Sequence, residues 1–184
     1  MATEGFVFSS EARKAYVPGT PLFVWIGDLP VGTVKSVKMS RDGRTLVLQN
    51  FDYAPTFVSP SIALRKLIFL ELTAFLAENA APGFKIVYRF EHRTTADIDG
   101  IALANARARM LEGIGATLSS VAPRIGSRGD GHFVVDATWR HSDTNLAKLR
   151  ATVLATRAEY AKESGGTWLK SLAARIKRGR GGAE

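Results

Sequence analysis

The sequence predicts an α+β fold, in which a mixed, mainly antiparallel sheet is flanked by helices and followed by a helical, basic C-terminal extension. Three observations predict it. Strand-like segments with alternating apolar residues come in pairs joined by turn residues, as at "RDGR" and "GSRGDG". Two longer segments with helical periodicity separate these pairs. After Trp139 the composition changes to helical and then basic, glycine-rich sequence.

The N-terminal third contains the first group of strands. We interpret residues 5–19 as an irregular or partly helical lead-in. Three strands follow and form an antiparallel meander, with an Asp-Gly turn before the last of them. They are "PLFVWIG" (21–27), "VGTVKSVKMS" (31–40) and "TLVLQNF" (45–51).

The middle of the chain alternates helices and strands. Ser61 can cap a helix that extends to about Asn79 and is apolar on more than one face, which predicts that it is mostly buried. "TTAD" (94–97) resembles the start of a second helix, and Gly115 fits its left-handed C-cap. The other predicted elements are a strand at 84–91, the second helix at 98–114, and strands at 117–125 and 131–139.

The last part of the chain reads as an extension. A helix is predicted over 142–164, and a short amphipathic helix begins near residue 167 before the basic tail. We therefore divide the chain into a domain over 1–140 and an extension over 141–184.

The composition excludes several classes of protein. With 184 residues, 46% of them hydrophobic and 23% charged, the chain can bury a core. It has no cysteine, so it has no thiol nucleophile and no cysteine-ligated zinc site. The three histidines lack metal-ligand spacing, and we predict no metal. We see no signal peptide and no segment able to span a membrane, and we expect a cytoplasmic or virion location.

Positive charge is concentrated at the C-terminal end. The net charge is +8, and residues 148–184 carry nine Lys and Arg against three Glu. This asymmetry predicts either a contact with nucleic acid or an acidic protein, over residues 148–180, or only a solubilising tail. The candidate contact residues in this segment are Trp168, Lys170, Arg175, Lys177, Arg178 and Arg180.

The order of elements from 21 to 139 resembles the second half of the GNAT N-acetyltransferase fold. The sharpest part of the resemblance is "NARARMLEGIGATLSSVAPRIGSRGDGHFVVDATW" (105–139), which looks like the last helix of that family and the strand pair that follows it. The resemblance implies an acetyl-CoA site at the start of the first long helix, and "FEHR" (90–93) would lie at the edge where family members place substrate or cofactor.

The expected cofactor loop is not present. In active family members, glycines at that helix start let backbone N–H groups wrap the pyrophosphate of acetyl-CoA. Superposing the family pattern on "VSPSIALRKLI" (58–68) places Leu64, Lys66 and Ile68 on the three small positions, and no glycine lies between Gly43 and Gly83. Arg65 and Lys66 are the weak candidates for cofactor contacts.

The acid and base residues implied by the resemblance are also missing. The tyrosine that many family members carry on the last helix corresponds to Leu111 or Glu112, depending on the direction of counting. The nearest polar residues to the usual glutamate base are Gln49 and Asp52. Gln49, Asp52 and Glu112 are thus weak catalytic candidates.

Three functions stay open. The leading hypothesis is a non-catalytic GNAT-like protein, without cofactor, that contacts other protein chains of an assembly. "RKLIFLELTAFL", "GIGA" and "DGHF" also resemble features of the GNAT-like internal virion proteins of podovirus-type short-tailed phages. The alternatives are a divergent acyltransferase that uses acetyl-CoA, and a nucleic-acid-binding module that acts through the basic arm.

Overall fold

A computed structural model describes residues 5–57, 61–93, 99–125 and 131–164. It confirms the predicted α+β class, with two sheets and three α-helices over these residues. The strands are β1 (Phe6–Ser9), β2 (Leu22–Ile26), β3 (Leu29–Val34), β4 (Val37–Met39), β5 (Thr45–Leu48), β6 (Phe51–Tyr53), β7 (Lys85–Arg93), β8 (Thr117–Ile125) and β9 (Gly131–Arg140). The helices are α1 (Ile62–Glu78), α2 (Gly100–Gly113) and α3 (Asp143–Glu163).

The first sheet has four antiparallel strands in the order β1-β2-β3-β6. Its strand β1 was not predicted; the lead-in contains this strand and a single 3₁₀ turn at Glu11–Arg13. The short segment Phe6–Ser9 is an edge strand that buries Phe8 against Phe75 of α1, at 4.8 Å between ring centroids. A four-residue strand gives too short an alternation to be recognised from sequence.

The predicted three-stranded meander is wrong in one respect, because two of its strands are divided between the sheets. Side chains on the same face of one strand are an even number of residues apart. Val34 and Val37 are both buried but lie three residues apart, so residues 31–40 cannot form one continuous strand with a single buried face. The chain therefore leaves the first sheet after β3 and enters the second sheet as β4. It returns after Leu48, where β6 rejoins β3.

The second sheet has five strands in the order β4-β5-β7-β9-β8. Only β5 and β7 are parallel, and the other pairs are antiparallel. The chain passes from β5 to β7 through α1 and from β7 to β8 through α2, so both connections run in the same direction across the sheet. Right-handed connections that run in the same direction place their helices on the same face of the sheet. That face carries Leu46, Leu48, Ile86, Tyr88, Val135, Ala137 and Trp139, each at most 1% exposed. Strand β8 forms one edge and contains Pro123.

The two central helices begin and end as their capping residues dictate. Ser61 caps α1 as predicted, with its Oγ accepting a hydrogen bond from Leu64 N at 3.0 Å. Helix α2 is capped by Asp99, and the predicted start at 94–97 lies outside the described residues. Gly115 adopts φ +86°, as a left-handed C-cap requires. Trp139 Nε1 donates to Ile114 O at 2.9 Å and ties the end of α2 to the sheet.

Helix α3 follows directly after the predicted domain boundary at residue 140 and packs antiparallel along α1. Leu149, Val153 and Tyr160 join the same hydrophobic core as α1 and the sheets. Ion pairs flank this contact: Arg157 with Glu71, Arg150 with Glu78 and Lys66 with Glu159. Within the described ranges, none of the helices has the length and apolar character needed to cross a membrane.

Candidate functional site

A narrow cleft lies where the strands beside α1 diverge. Strands β5 and β7 are paired up to Leu48 and Tyr88, after which β6 turns toward β3 while β7 continues beside β9. Asn50 marks the divergence, with its Oδ1 accepting from Glu91 N at 2.8 Å. The N-terminal half of α1 covers this opening, so the cleft lies where the resemblance implies the cofactor.

The cleft is almost filled by side chains. Its cavity measures only about 40 Å³ and is lined mainly by apolar residues of α1, β6 and β7. Phe69 of α1 packs against Phe90 of β7, with ring centroids 5.7 Å apart. Phe69 also packs at 5.3 Å from Tyr88, whose hydroxyl shares a 3.0 Å hydrogen bond with Thr73. Bulky rings therefore occupy the space between the diverging strands.

An arginine from α2 lies over these rings. The Cζ atom of Arg107 is 4.9 Å from the Phe90 ring centroid and 5.2 Å from that of Phe69. Burial lowers the pKa of the Arg107 guanidinium, and the neighbouring Tyr53 raises it. Arg107 was not among the predicted site residues, although the spacing of α2 contains a signal. Arg107 falls within the buried positions Ala104, Ala108 and Leu111 of α2, a face where an arginine is unusual.

Arg65 and Lys66, the two predicted cofactor contacts, lie in different environments. Arg65 lines the cleft, with its Cζ 5.7 Å from the Tyr53 ring centroid. Lys66 faces α3 instead, where its Nζ lies 3.7 Å from Glu159 Oε2. The two neighbouring cations are thus not brought together.

The three catalytic candidates are also dispersed. Gln49 lines the cleft, close to the divergence of the strands. Asp52 is exposed on β6 and pairs with Lys35 at 3.2 Å. Glu112 is exposed on α2, and its neighbour Leu111 is fully buried. The arrangement places only Gln49 and Arg65 of the predicted set in one cavity.

The N-terminus of α1 already has an acidic neighbour. Ser61 Oγ, besides capping the helix, donates to Glu163 Oε2 of α3 at 2.7 Å. A carboxylate therefore lies at the positive end of the helix, where anions are favoured.

Two of the four basic residues of α3 are paired with acidic residues of α1. Arg150 and Arg157 pair with Glu78 and Glu71, and the Glu71 side chain is only 1% exposed. The predicted contact residues from Trp168 to Arg180 lie outside the described residues. Among the side chains that the structure describes, no group of three His, Cys, Asp or Glu could hold a metal ion.

Comparison with known proteins gives similarities of fold. No family model and no curated protein matches the chain. Among solved structures, the chain is similar to Arabidopsis thaliana Naa50, solved with the bisubstrate analogue CoA-Ac-MVNAL. The identity is 8%, over 63% of this chain and 70% of that chain, with a TM-score of 0.37. It is also similar to a crystal structure assigned provisionally as an acetyltransferase, at 18% identity over 71% of this chain and 62% of that chain, with a TM-score of 0.38.

These similarities concern the fold alone. From α1 to β9 the described elements follow the predicted order of helix, strand, helix and two strands, whereas five strands (β2 to β6) precede α1 where three were predicted from residue 21 onward.

Proposed function

We propose that the protein is a non-catalytic GNAT-like component of a larger protein assembly. The observation that carries the proposal is the Glu163 carboxylate at the N-terminus of α1, hydrogen-bonded to the capping residue Ser61. A diphosphate at this helix end would meet a negative charge at close range, which costs free energy instead of gaining it. The residues present therefore do not fit the pyrophosphate of acetyl-CoA.

The size of the cleft supports the same proposal. Sites for cofactors and drug-sized ligands measure about 300–1,000 Å³, whereas the cavity between β6 and β7 measures about 40 Å³. Phe69, Phe90 and Arg107 would all have to move before a pantetheine chain could enter. Such a rearrangement would break several ring contacts in the core.

The positions of the polar candidates also support it. Acid–base catalysis requires groups within hydrogen-bond reach of one reacting centre. Asp52 pairs with Lys35 on the outside of β6, and Glu112 lies on the exposed side of α2. Neither shares the cavity with Gln49.

The most specific form of the proposal is a component of a phage particle. It is supported by the short motifs that resemble podovirus-type internal virion proteins, "RKLIFLELTAFL", "GIGA" and "DGHF". The first motif forms the buried body of α1, and "GIGA" forms the C-cap of α2.

Calorimetry with acetyl-CoA tests the proposal. We expect no saturable heat at moderate salt, with adenosine 3′,5′-bisphosphate as the control for general attraction of anions to a chain of net charge +8. Micromolar binding of acetyl-CoA that exceeds binding of the bisphosphate would overturn the proposal.

A turnover assay provides a second test. Because the chain contains no cysteine, release of CoA thiol from acetyl-CoA can be measured without a background from the protein. We expect no release above buffer with a panel of amines. Release that depends on protein concentration and is lost on Gln49→Ala would contradict the proposal and support an acyltransferase.

A further inference from the structure

The guanidinium of Arg107 is the charged group whose surroundings the fold leaves unexplained. It lies against the faces of Phe69 and Phe90, each within about 5 Å. Within the part of the chain that the structure describes, it makes no ion pair or hydrogen bond. Arg107 is half-buried, and two aromatic faces compensate only part of the cost of the water contacts that its guanidinium loses.

Arg107 contributes to the wall of the small cavity of the cleft. Arg107 and Gln49 both line this cavity, and Arg65 adds a second positive charge to its wall. Arginine presents N–H donors in a planar fork that matches a carboxylate. The cavity therefore combines a donor set for an anion with a hydrophobic wall.

The volume of the cavity limits what can enter. A water requires roughly 10–15 Å³ on the same measure, so about 40 Å³ holds a group of two or three heavy atoms. A planar carboxylate fits this space, whereas a diphosphate or a nucleoside does not. The rest of any ligand must remain at the rim, where Tyr53 is 40% exposed.

We infer that Arg107, with Arg65 and Gln49, forms a binding site for the carboxylate of an aspartate or glutamate side chain presented by a partner protein. The source of the carboxylate is argued from charge complementarity, since this chain carries a net charge of +8. The inference that a partner protein supplies the carboxylate rests on the proposed assembly role. The inference that the site binds a carboxylate does not rest on it.

The experiment uses two probes that differ only in charge. The probes are N-acetyl-glutamate amide and N-acetyl-glutamine amide, titrated into full-length protein labelled with ¹⁵N, and the readout is the Arg107 Nε–Hε resonance. We expect a saturable shift with a millimolar dissociation constant for the glutamate probe and no saturable shift for the glutamine probe. A linear or absent response to the glutamate probe would overturn the inference.

A pair of variants on one helix provides the control. Arg107→Met keeps an apolar chain against the two rings, and Arg109→Met removes an exposed arginine two residues away. Backbone amides of β6 and β7 should respond to the glutamate probe in the parent and in Arg109→Met, but not in Arg107→Met. Equal responses in all three proteins would show that the anion binds elsewhere and would overturn the inference.

The thermal melting temperature gives a second measurement that does not depend on resonance assignment. Sodium acetate, compared with equal sodium chloride, should raise the melting temperature of the parent and of Arg109→Met but leave that of Arg107→Met unchanged. An acetate effect of the same size in Arg107→Met would contradict the inference. These outcomes are independent of acetyl-CoA binding, so failure here and failure of the proposed function can be told apart.

Discussion

Ser61 and Glu163 lie 102 residues apart in sequence and are joined by a 2.7 Å hydrogen bond between the start of α1 and the end of α3. The carboxylate of Glu163 lies at the C-terminus of its own helix, where the helix dipole disfavours a negative charge. It lies at the same time beside the N-terminus of α1, where the dipole favours one. Because α1 and α3 pack antiparallel, the favourable dipole of α1 offsets the unfavourable dipole of α3 at the Glu163 carboxylate.

Substitution of the capping residue should weaken α1. Ser61→Ala removes the acceptor for Leu64 N and the donor to Glu163, and we expect a loss of about 1–2 kcal/mol in the free energy of unfolding. Chemical denaturation measures it. Ser119→Ala, an exposed serine on β8, should change the stability by less than about 0.5 kcal/mol. Equal effects at the two sites would show that the cap is not formed.

The ion pair between Glu71 and Arg157 should be the most sensitive contact of the α1–α3 interface. Arg157→Met leaves the Glu71 carboxylate, 1% exposed, without its partner. We expect a loss of about 3–5 kcal/mol, because a buried charge is then uncompensated. Lys35→Met breaks an exposed pair with Asp52 and should cost less than about 1 kcal/mol.

A double substitution separates the charge penalty from the loss of packing. Glu71→Leu combined with Arg157→Met removes both charges, and we expect most of the stability to return. Denaturation of the parent, the two single variants and the double variant gives the coupling energy. If the double variant is as unstable as Arg157→Met alone, the loss of unfolding free energy comes from packing and not from the unpaired charge.

Two glycines that lie two residues apart should respond differently to substitution by alanine. Gly115 has φ +86°, and a Cβ there would lie 2.2 Å from Asn145 Oδ1. Gly115→Ala should therefore destabilise the protein by about 1–3 kcal/mol. Gly113 is the last residue of α2 and has open space around it, so Gly113→Ala should be neutral or stabilising by up to about 1 kcal/mol. Thermal melting of the two variants provides the comparison.

The buried tyrosines should make the fold sensitive to alkali. Burial raises the pKa of the Tyr88 hydroxyl well above its ordinary value near 10, against a smaller lowering by its hydrogen bond with Thr73. The unfolded chain thus loses this proton first, so its contribution to stability is complete below about pH 10 and declines as the pH rises above that value.

Replacing this one hydroxyl should reduce the alkaline loss. Tyr88→Phe should flatten the fall of unfolding free energy between pH 10 and 12 by up to about 1.4 kcal/mol per pH unit, at the cost of about 1 kcal/mol at neutral pH. Burial also raises the pKa of Tyr16, Tyr53 and Tyr160, so part of the slope should remain. An unchanged slope would contradict the assigned burial of Tyr88.

Most of the fold could be predicted because its elements are long and locally encoded. The cap at Ser61, the left-handed Gly115 and the strand pair β8–β9 all follow from residues close to one another in sequence. The break between β3 and β4 was not predicted because the two strands pair in different sheets, and this pairing depends on contacts that are distant in sequence. The spacing of buried residues at Val34 and Val37 contains the signal, but only when tertiary pairing is known.

The candidate site was less predictable, since long-range contacts build it. The absence of glycine between Gly43 and Gly83 pointed to an altered helix start. The residue that lies against that start is Glu163, and no local pattern connects it with Ser61. The position of Arg107 could be read from the buried stripe of α2, whereas the rings that it meets come from α1 and β7.

The outer edge of the five-stranded sheet has a consequence for self-association. Strand β8 has nine residues and, among the described strands, forms that edge with β9 as its one neighbour. An edge of this length without a second neighbour is a template for adding a strand from another molecule. Pro123 lies near its middle and has no N–H to donate, which interrupts the row of donors that an incoming strand would need. Pro123→Val would restore the missing donor and should favour concentration-dependent oligomers or fibres.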